Sequence, residues 1–145
     1  MKVSTRGRYA LRMLLDLAEH KSEGRITLND IAQRQGISRK YLEQIILLLN
    51  KSGMLRTTRG YQGGYALAKE PDQYTVGQIL RVTEGKLCPV ACMKDEPNQC
   101  ERNRFCKTLP VWQGLGNVMN AYLDGITLQT ILDDNKTRDA DEYTI

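Results

Sequence analysis

Histidine, tryptophan and phenylalanine occur once each in 145 residues, and no long apolar run interrupts the polar sequence. With no such run, a membrane span is excluded, and the polar, basic start Met1-Lys2-Val3-Ser4-Thr5-Arg6 is unlike a signal peptide. A soluble, cytoplasmic protein is expected. The single imidazole, His20, falls in the first helical stretch, where a solvent-exposed role is expected rather than catalysis or ligation. Neither a Cys-x-x-Cys pair nor a substrate-cradling loop is present, which speaks against a thiol redox enzyme. The Gly-rich stretch Gly60-Tyr61-Gln62-Gly63-Gly64 lacks the Lys-Ser/Thr and the following helix of a nucleotide-binding loop. Internal repeats and low-complexity runs are absent too. The length suits one domain with an ordinary core, or a smaller one with an appended helical arm.

All four cysteines lie between residues 88 and 106, as Cys88, Cys92, Cys100 and Cys106, in a segment with almost no core-forming residues. Packing gives no reason for thiols there, whereas a soft metal or an iron–sulfur cluster needs several thiolates from one pliable loop. In the cytoplasm a disulfide framework is the weaker alternative. Zinc also accepts four thiolates, but structural zinc sites favour Cys-x-x-Cys knuckles and the intervals here hold three, seven and five residues.

Charge divides the chain. Residues 1–68 carry 12 Lys and Arg against 5 Asp and Glu, a balance of +7, and residues 69–145 carry 9 against 12, a balance of −3. A basic half joined to an acidic half suits an anion-binding module with an attached assembly or sensing module, although ordinary solvated charge is the plain alternative.

In the basic half, Tyr9, Ala10, Met13, Leu14, Leu17 and Ala18 recur at helical spacing over residues 6–19. Thr27 opens a short helix that Gly36 stops, and Ser38 caps a third that ends at Gly53, with Leu42, Ile45, Ile46 and Leu49 on its core face. Two helices around a tight turn form a helix-turn-helix, in which the second helix enters the major groove. Ser38, Arg39, Lys40, Tyr41, Glu43 and Gln44 stand at its start. Gln44 can pair with adenine, Arg39 with guanine, and Glu43 can accept from cytosine while repelling phosphate. Strands over residues 55–59 and 65–68 then make a wing, whose Arg56, Arg59 and Gly60 can meet a minor groove or phosphate.

In the acidic half, Thr75 to Thr83 reads as a short helix with a Thr-x-x-Gln capping box, ended by Gly85. A longer helix begins at Thr108-Leu109-Pro110. Its Trp112, Leu115, Val118, Met119 and Tyr122 form an apolar stripe that calls for burial, best met by a two-fold dimer that presents two reading heads to a palindromic site. Thr127 caps a last short helix, and a polar tail from Asn135 to Ile145 is expected to be disordered. The fold class is thus mainly α with a small β-hairpin wing. The winged helix-turn-helix spans 1–70, a connecting helix 71–87, a cysteine loop 88–106, and the dimerisation and terminal helices 107–134.

The opening Val3-Ser4-Thr5-Arg6-Gly7-Arg8-Tyr9-Ala10, the block from Ile31 to Ser38 followed by Tyr41-Leu42-Glu43-Gln44, the wing around Arg59-Gly60 and Gly63-Gly64-Tyr65, and Trp112 before Ile126-Thr127-Leu128 resemble the IscR-type branch of the Rrf family. The likeness runs in register to about Asp133. It implies a homodimeric winged-helix transcription regulator that acts as a repressor, is governed by a 2Fe-2S cluster and controls iron–sulfur assembly genes. Palindromic double-stranded DNA and possible cluster-assembly proteins are the implied partners. The family's three ligand cysteines correspond to Cys92, Cys100 and Cys106. Its histidine ligand falls at Leu109 here; Cys88 is the natural substitute, with an oxygen or nitrogen ligand from elsewhere in the dimer as the alternative, and Arg8, standing where some relatives carry an acid ligand, argues against that acid's route. Sister branches imply an alternative signal: nitric oxide, redox state or cysteine availability.

Overall fold

The computed structural model describes residues 1–142. The first helix, α1 (Thr5–Glu19), begins where the Ser4 hydroxyl accepts the Gly7 N–H at 3.1 Å, and it buries Ala10, Met13, Leu14, Leu17 and Ala18. Thr27 caps α2 (Leu28–Gln35) through the Asp30 N–H at 3.2 Å, and Ser38 caps α3 (Arg39–Lys51) through the Tyr41 N–H at 3.2 Å. Between them Gly36 takes the left-handed conformation, φ 63°, that turns the chain sharply. This is the expected helix-turn-helix.

The wing pairs β1 (Leu55–Thr58) antiparallel with β2 (Gly64–Leu67), Leu55 opposite Leu67. Ile26 extends it by exchanging backbone hydrogen bonds with Tyr65 at 3.0 and 2.8 Å, which fastens the wing to the start of the helix-turn-helix. Gly64 is needed at this crossing, since a Cβ there would stand 2.7 Å from the Ile26 carbonyl oxygen. Thr75 and Gln78 form the reciprocal capping box of α4 (Val76–Glu84), each bond 3.1 Å.

Two further helices, α5 (Leu109–Asp124) and α6 (Leu128–Glu142), complete the chain. The main core joins α1, α2 and α3 to Leu55, Tyr74 and Ile79, and Leu128 of α6 closes it. A second cluster of Val76, Leu80 and Leu87 lies on the far side of α4. The α6 start is tied to the α4 start by Val76 N–H to the Ile126 carbonyl at 2.9 Å and Leu128 N–H to the Tyr74 carbonyl at 3.0 Å.

The expected disordered tail is corrected. Residues 135–142 continue α6 without a break, while 143–145 lie outside the described residues. Lys136, Arg138, Ala140 and Glu142 are good helix formers, and neither Gly nor Pro stands in the way; a hydrophobic pattern is not required for an exposed helix to continue. At the other end, Thr108 precedes α5 without capping it through its side chain.

Candidate DNA-reading face and cysteine loop

The polar residues at the start of α3 share an open surface. Ser38, Arg39, Lys40, Glu43 and Gln44 are exposed, and Tyr41 is half-buried. Arg39 reaches Glu43 at 3.3 Å and Asn29 of α2 at 3.2 Å, so it partly neutralises the carboxylate and braces it toward the surface. Tyr41 meets Tyr9 edge to face with ring centroids 5.5 Å apart, and the Arg12 guanidinium lies 5.2 Å from the Tyr9 centroid. Arg12 also bonds the Gln35 carbonyl, which links α1 to the reading helix and the turn before it. On the wing Arg56, Arg59 and Gly60 are exposed, Gly60 at φ 105°. Thr57 donates to Asn50 at 2.9 Å, fixing the first wing strand against α3. All the predicted reading residues therefore sit on α3, its N-cap or the wing, and all but the half-buried Tyr41 are exposed.

Three features of this half escape the sequence reading. The first is an ion pair between α1 and α2: Asp16, 1% exposed, receives Arg34 Nη2 at 2.7 Å and Nε at 3.0 Å, and Gln35 Nε2 at 2.9 Å. Burial pushes the Asp16 carboxyl up, but the hydrogen bonds from Arg34 and Gln35 and the Arg34 charge outweigh it and hold the group below its ordinary range. His20 is partly buried, its Nδ1 2.9 Å from the Asp16 carbonyl oxygen and far in sequence from the cysteines. The other two are apolar side chains left in solvent, Leu47 at 71% exposure on α3 and the fully exposed Tyr61 at the wing tip. Leu47 was detectable as an apolar residue off the buried stripe. Nothing local signals the pairing of Asp16 with Arg34.

The four cysteines are free and half-buried, and all lie on the irregular segment between α4 and α5. Its entry is held from both sides. Asn120 of α5 donates to the Leu87 carbonyl at 3.1 Å, Arg81 of α4 donates to Asn120 Oδ1 at 2.7 Å, and Arg81 clasps Asp124 at 2.7 and 2.8 Å. The Met1 amino group lies 3.4 Å from the Pro89 carbonyl oxygen. Farther on, Asn98 organises the middle of the loop by accepting the Cys100 N–H at 2.9 Å and, through its carbonyl, Asn103 Nδ2 at 3.1 Å. At the exit Cys106 Sγ lies 3.4 Å from Thr108 Oγ1, and the hydroxyl and nearby backbone N–H groups hold that thiol below its ordinary range.

Donor type, lack of disulfides and partial exposure all suit an iron–sulfur group. The sulfurs are not gathered, however: among the described residues no three His, Cys, Asp or Glu side chains converge enough to hold a metal ion. The loop is a donor set on a pliable frame, not a closed cage. Leu109 is half-buried at the start of α5.

One face of α5 packs on this loop. Gly116 is buried there, and a Cβ on it would lie 3.3 Å from Pro89 and 3.5 Å from Met93. The other face is bare: Val111, Leu115, Val118 and Tyr122 are exposed, the last two at 68%, with Trp112 and Met119 half-buried beside them.

Known proteins resemble the chain over almost its full length. The family model described as "Rrf2: Iron-dependent Transcriptional regulator" matches residues 3–134. Protein rrf2 of Nitratidesulfovibrio vulgaris is 42% identical over 134 residues, covering 92% of this chain and 89% of the relative. The solved structure of T. potens IscR aligns with a TM-score of 0.74 at 40% identity, over all of this chain and 92% of that one. CymR, the global cysteine regulator of B. subtilis, aligns at 0.75 and 36% identity, over 90% of this chain and 95% of its own. No described helix is long and apolar enough to cross a membrane. The chain belongs to the Rrf2 family and is a winged-helix, DNA-binding transcription regulator rather than an enzyme.

Proposed function

We propose that this regulator senses iron–sulfur status through a 2Fe-2S cluster held by Cys92, Cys100 and Cys106, with Cys88 as the fourth ligand, and that it controls genes for iron–sulfur assembly. One observation carries the reading: four free thiols occupy a loop fastened to α4 on the DNA-reading side and to the apolar helix α5 on the other. A cluster would supply a supply- and redox-sensitive bond between thiolates that are otherwise independent. The chain's own residues connect that loop to the rest. Asn120 and Arg81 couple its entry to both helices, Gly116 seats it on α5, and Thr108 joins Cys106 to the first turn of α5.

DNA is read by Ser38, Arg39, Lys40, Tyr41, Glu43 and Gln44 in the major groove, with Arg56, Arg59 and Gly60 on the flanking groove or backbone. The bare stripe of Val111, Leu115, Val118 and Tyr122, with Trp112 and Met119, is the homodimer surface, and two reading heads then suit a palindromic operator. Single Cys→Ala variants purified without oxygen test the ligand set. Loss of visible cluster absorption in Cys92, Cys100, Cys106 and Cys88 variants is expected. Full absorption in Cys88→Ala would remove Cys88 from the set.

A second reading keeps the fold and changes the signal to cysteine availability, redox state or nitric oxide. The free thiols and the likeness to CymR favour it. DNA affinity that follows thiol reagents or nitric oxide in protein lacking iron would select it.

A further inference from the structure

The outward face of α3 is not uniformly polar. Lys40, Gln44, Leu47 and Lys51 recur at steps of four, three and four, so they form one stripe opposite the buried Leu42, Ile45, Ile46 and Leu49. Leu47 stands in the middle of that stripe, 71% exposed. It belongs to neither core cluster, and its neighbours along the stripe are the Gln44 amide and the Lys51 cation. The bare stripe of α5 is a separate element and does not account for it.

We infer that Leu47 is a base-reading residue that packs against the C5-methyl group of a thymine in the major groove. This rests on the assignment of α3 as the reading helix. On that face the partner is a duplex, drawn by Lys40 and Lys51 and by the +7 balance of the basic half. The largest apolar group that the major groove presents is the thymine methyl; apart from the small C5–H of cytosine, the other base-edge features there are hydrogen-bond donors or acceptors that Leu cannot satisfy. Leu47 sits one turn beyond Gln44, so the thymine lies next to the base pair that Gln44 reads. An amide that pairs with adenine beside a leucine that packs on thymine makes this part of the helix select A·T steps, whereas Arg39 and Glu43 at its start address G·C pairs.

Removal of the methyl alone tests the contact. A duplex is selected from a random-sequence library with the full wild-type chain, and each thymine is replaced singly by uracil, which keeps every hydrogen-bonding group. At one position in the reading site the wild type should bind uracil about fourfold more weakly, the equivalent of about 0.8 kcal/mol for one buried methyl. Leu47→Ala should bind both bases equally there, and Leu47→Met should keep most of the discrimination. The inference is overturned if no position is methyl-sensitive in the wild type, or if the sensitivity persists unchanged in Leu47→Ala. Glu43→Ala and Gln44→Ala separate the two levels: unaltered base preference in both defeats the assignment of α3 itself, and altered preference in them with none in Leu47→Ala defeats only this inference.

Discussion

Replacing Arg34 by Met strands a buried carboxylate between α1 and α2. Asp16 is 1% exposed and receives two bonds from Arg34, at 2.7 and 3.0 Å, while the Arg34 side chain is itself 31% exposed. Without Asp16 the guanidinium can turn to water; without Arg34 the carboxylate cannot. Breaking a fully buried pair from one side is destabilising by about 3–5 kcal/mol, and the partial exposure of Arg34 and the remaining Gln35 bond reduce this to about 2–4 kcal/mol. The expected fall in Tm is roughly 6–12 °C for a chain of this size. Asp16→Asn, which leaves no buried charge, should be destabilising by about 1–2 kcal/mol.

The pH dependence has a definite sign. In the wild type the Asp16 carboxyl is depressed from its ordinary 3.8, so its contribution is complete above that value and is lost as pH falls through the lower, folded-state value. The deficit of Arg34→Met relative to wild type should therefore shrink as pH is lowered toward and below 4, where a protonated Asp16 no longer needs a cation (about 3.9 in unfolded chains). Urea titrations at neutral and acid pH measure it. A variant within about 0.5 kcal/mol of wild type at neutral pH, or a deficit that grows on acidification, would refute the reasoning.

Gly7→Ala should loosen the contact between α1 and α4, because the added Cβ collides with the Glu84 carboxylate and stands 3.2 Å from Leu80 and Thr83; a loss of about 1–3 kcal/mol by thermal melts is expected. If α5 carries the proposed homodimer surface, Val118→Asp with Tyr122→Glu should leave the chain monomeric by light scattering where the wild type is dimeric, with an unchanged helical spectrum, because charges would replace the most exposed apolar groups of α5. Arg59→Ala should weaken binding to all duplexes alike and reduce the salt slope by about one. Glu43→Ala should instead relax base preference with little change in that slope.

Much of the reading head was legible because its signals are local. Thr27, Ser38 and the Thr75–Gln78 pair cap where their side chains predict, and Leu42, Ile45, Ile46 and Leu49 bury as their spacing predicts. What was not legible is non-local or unpatterned. Asp16 and Arg34 meet across two helices, and Ile26 joins the wing from outside it. The extension of α6 past Asn135 carries no apolar repeat, so a search for apolar periodicity overlooks it. For the cysteine loop, sequence indicated the donor type and the segment, and the structure adds that Asn120, Arg81 and Gly116 fasten it to both helices. The sulfurs do not converge in the structure, and neither spacing nor packing dictates that they should.

Iron and acid-labile sulfide counted per chain after anaerobic purification test the central claim most directly. Close to two of each per chain, about equal in amount and falling together in Cys106→Ala, is the predicted result for a 2Fe-2S site. About one zinc per chain without sulfide would contradict it.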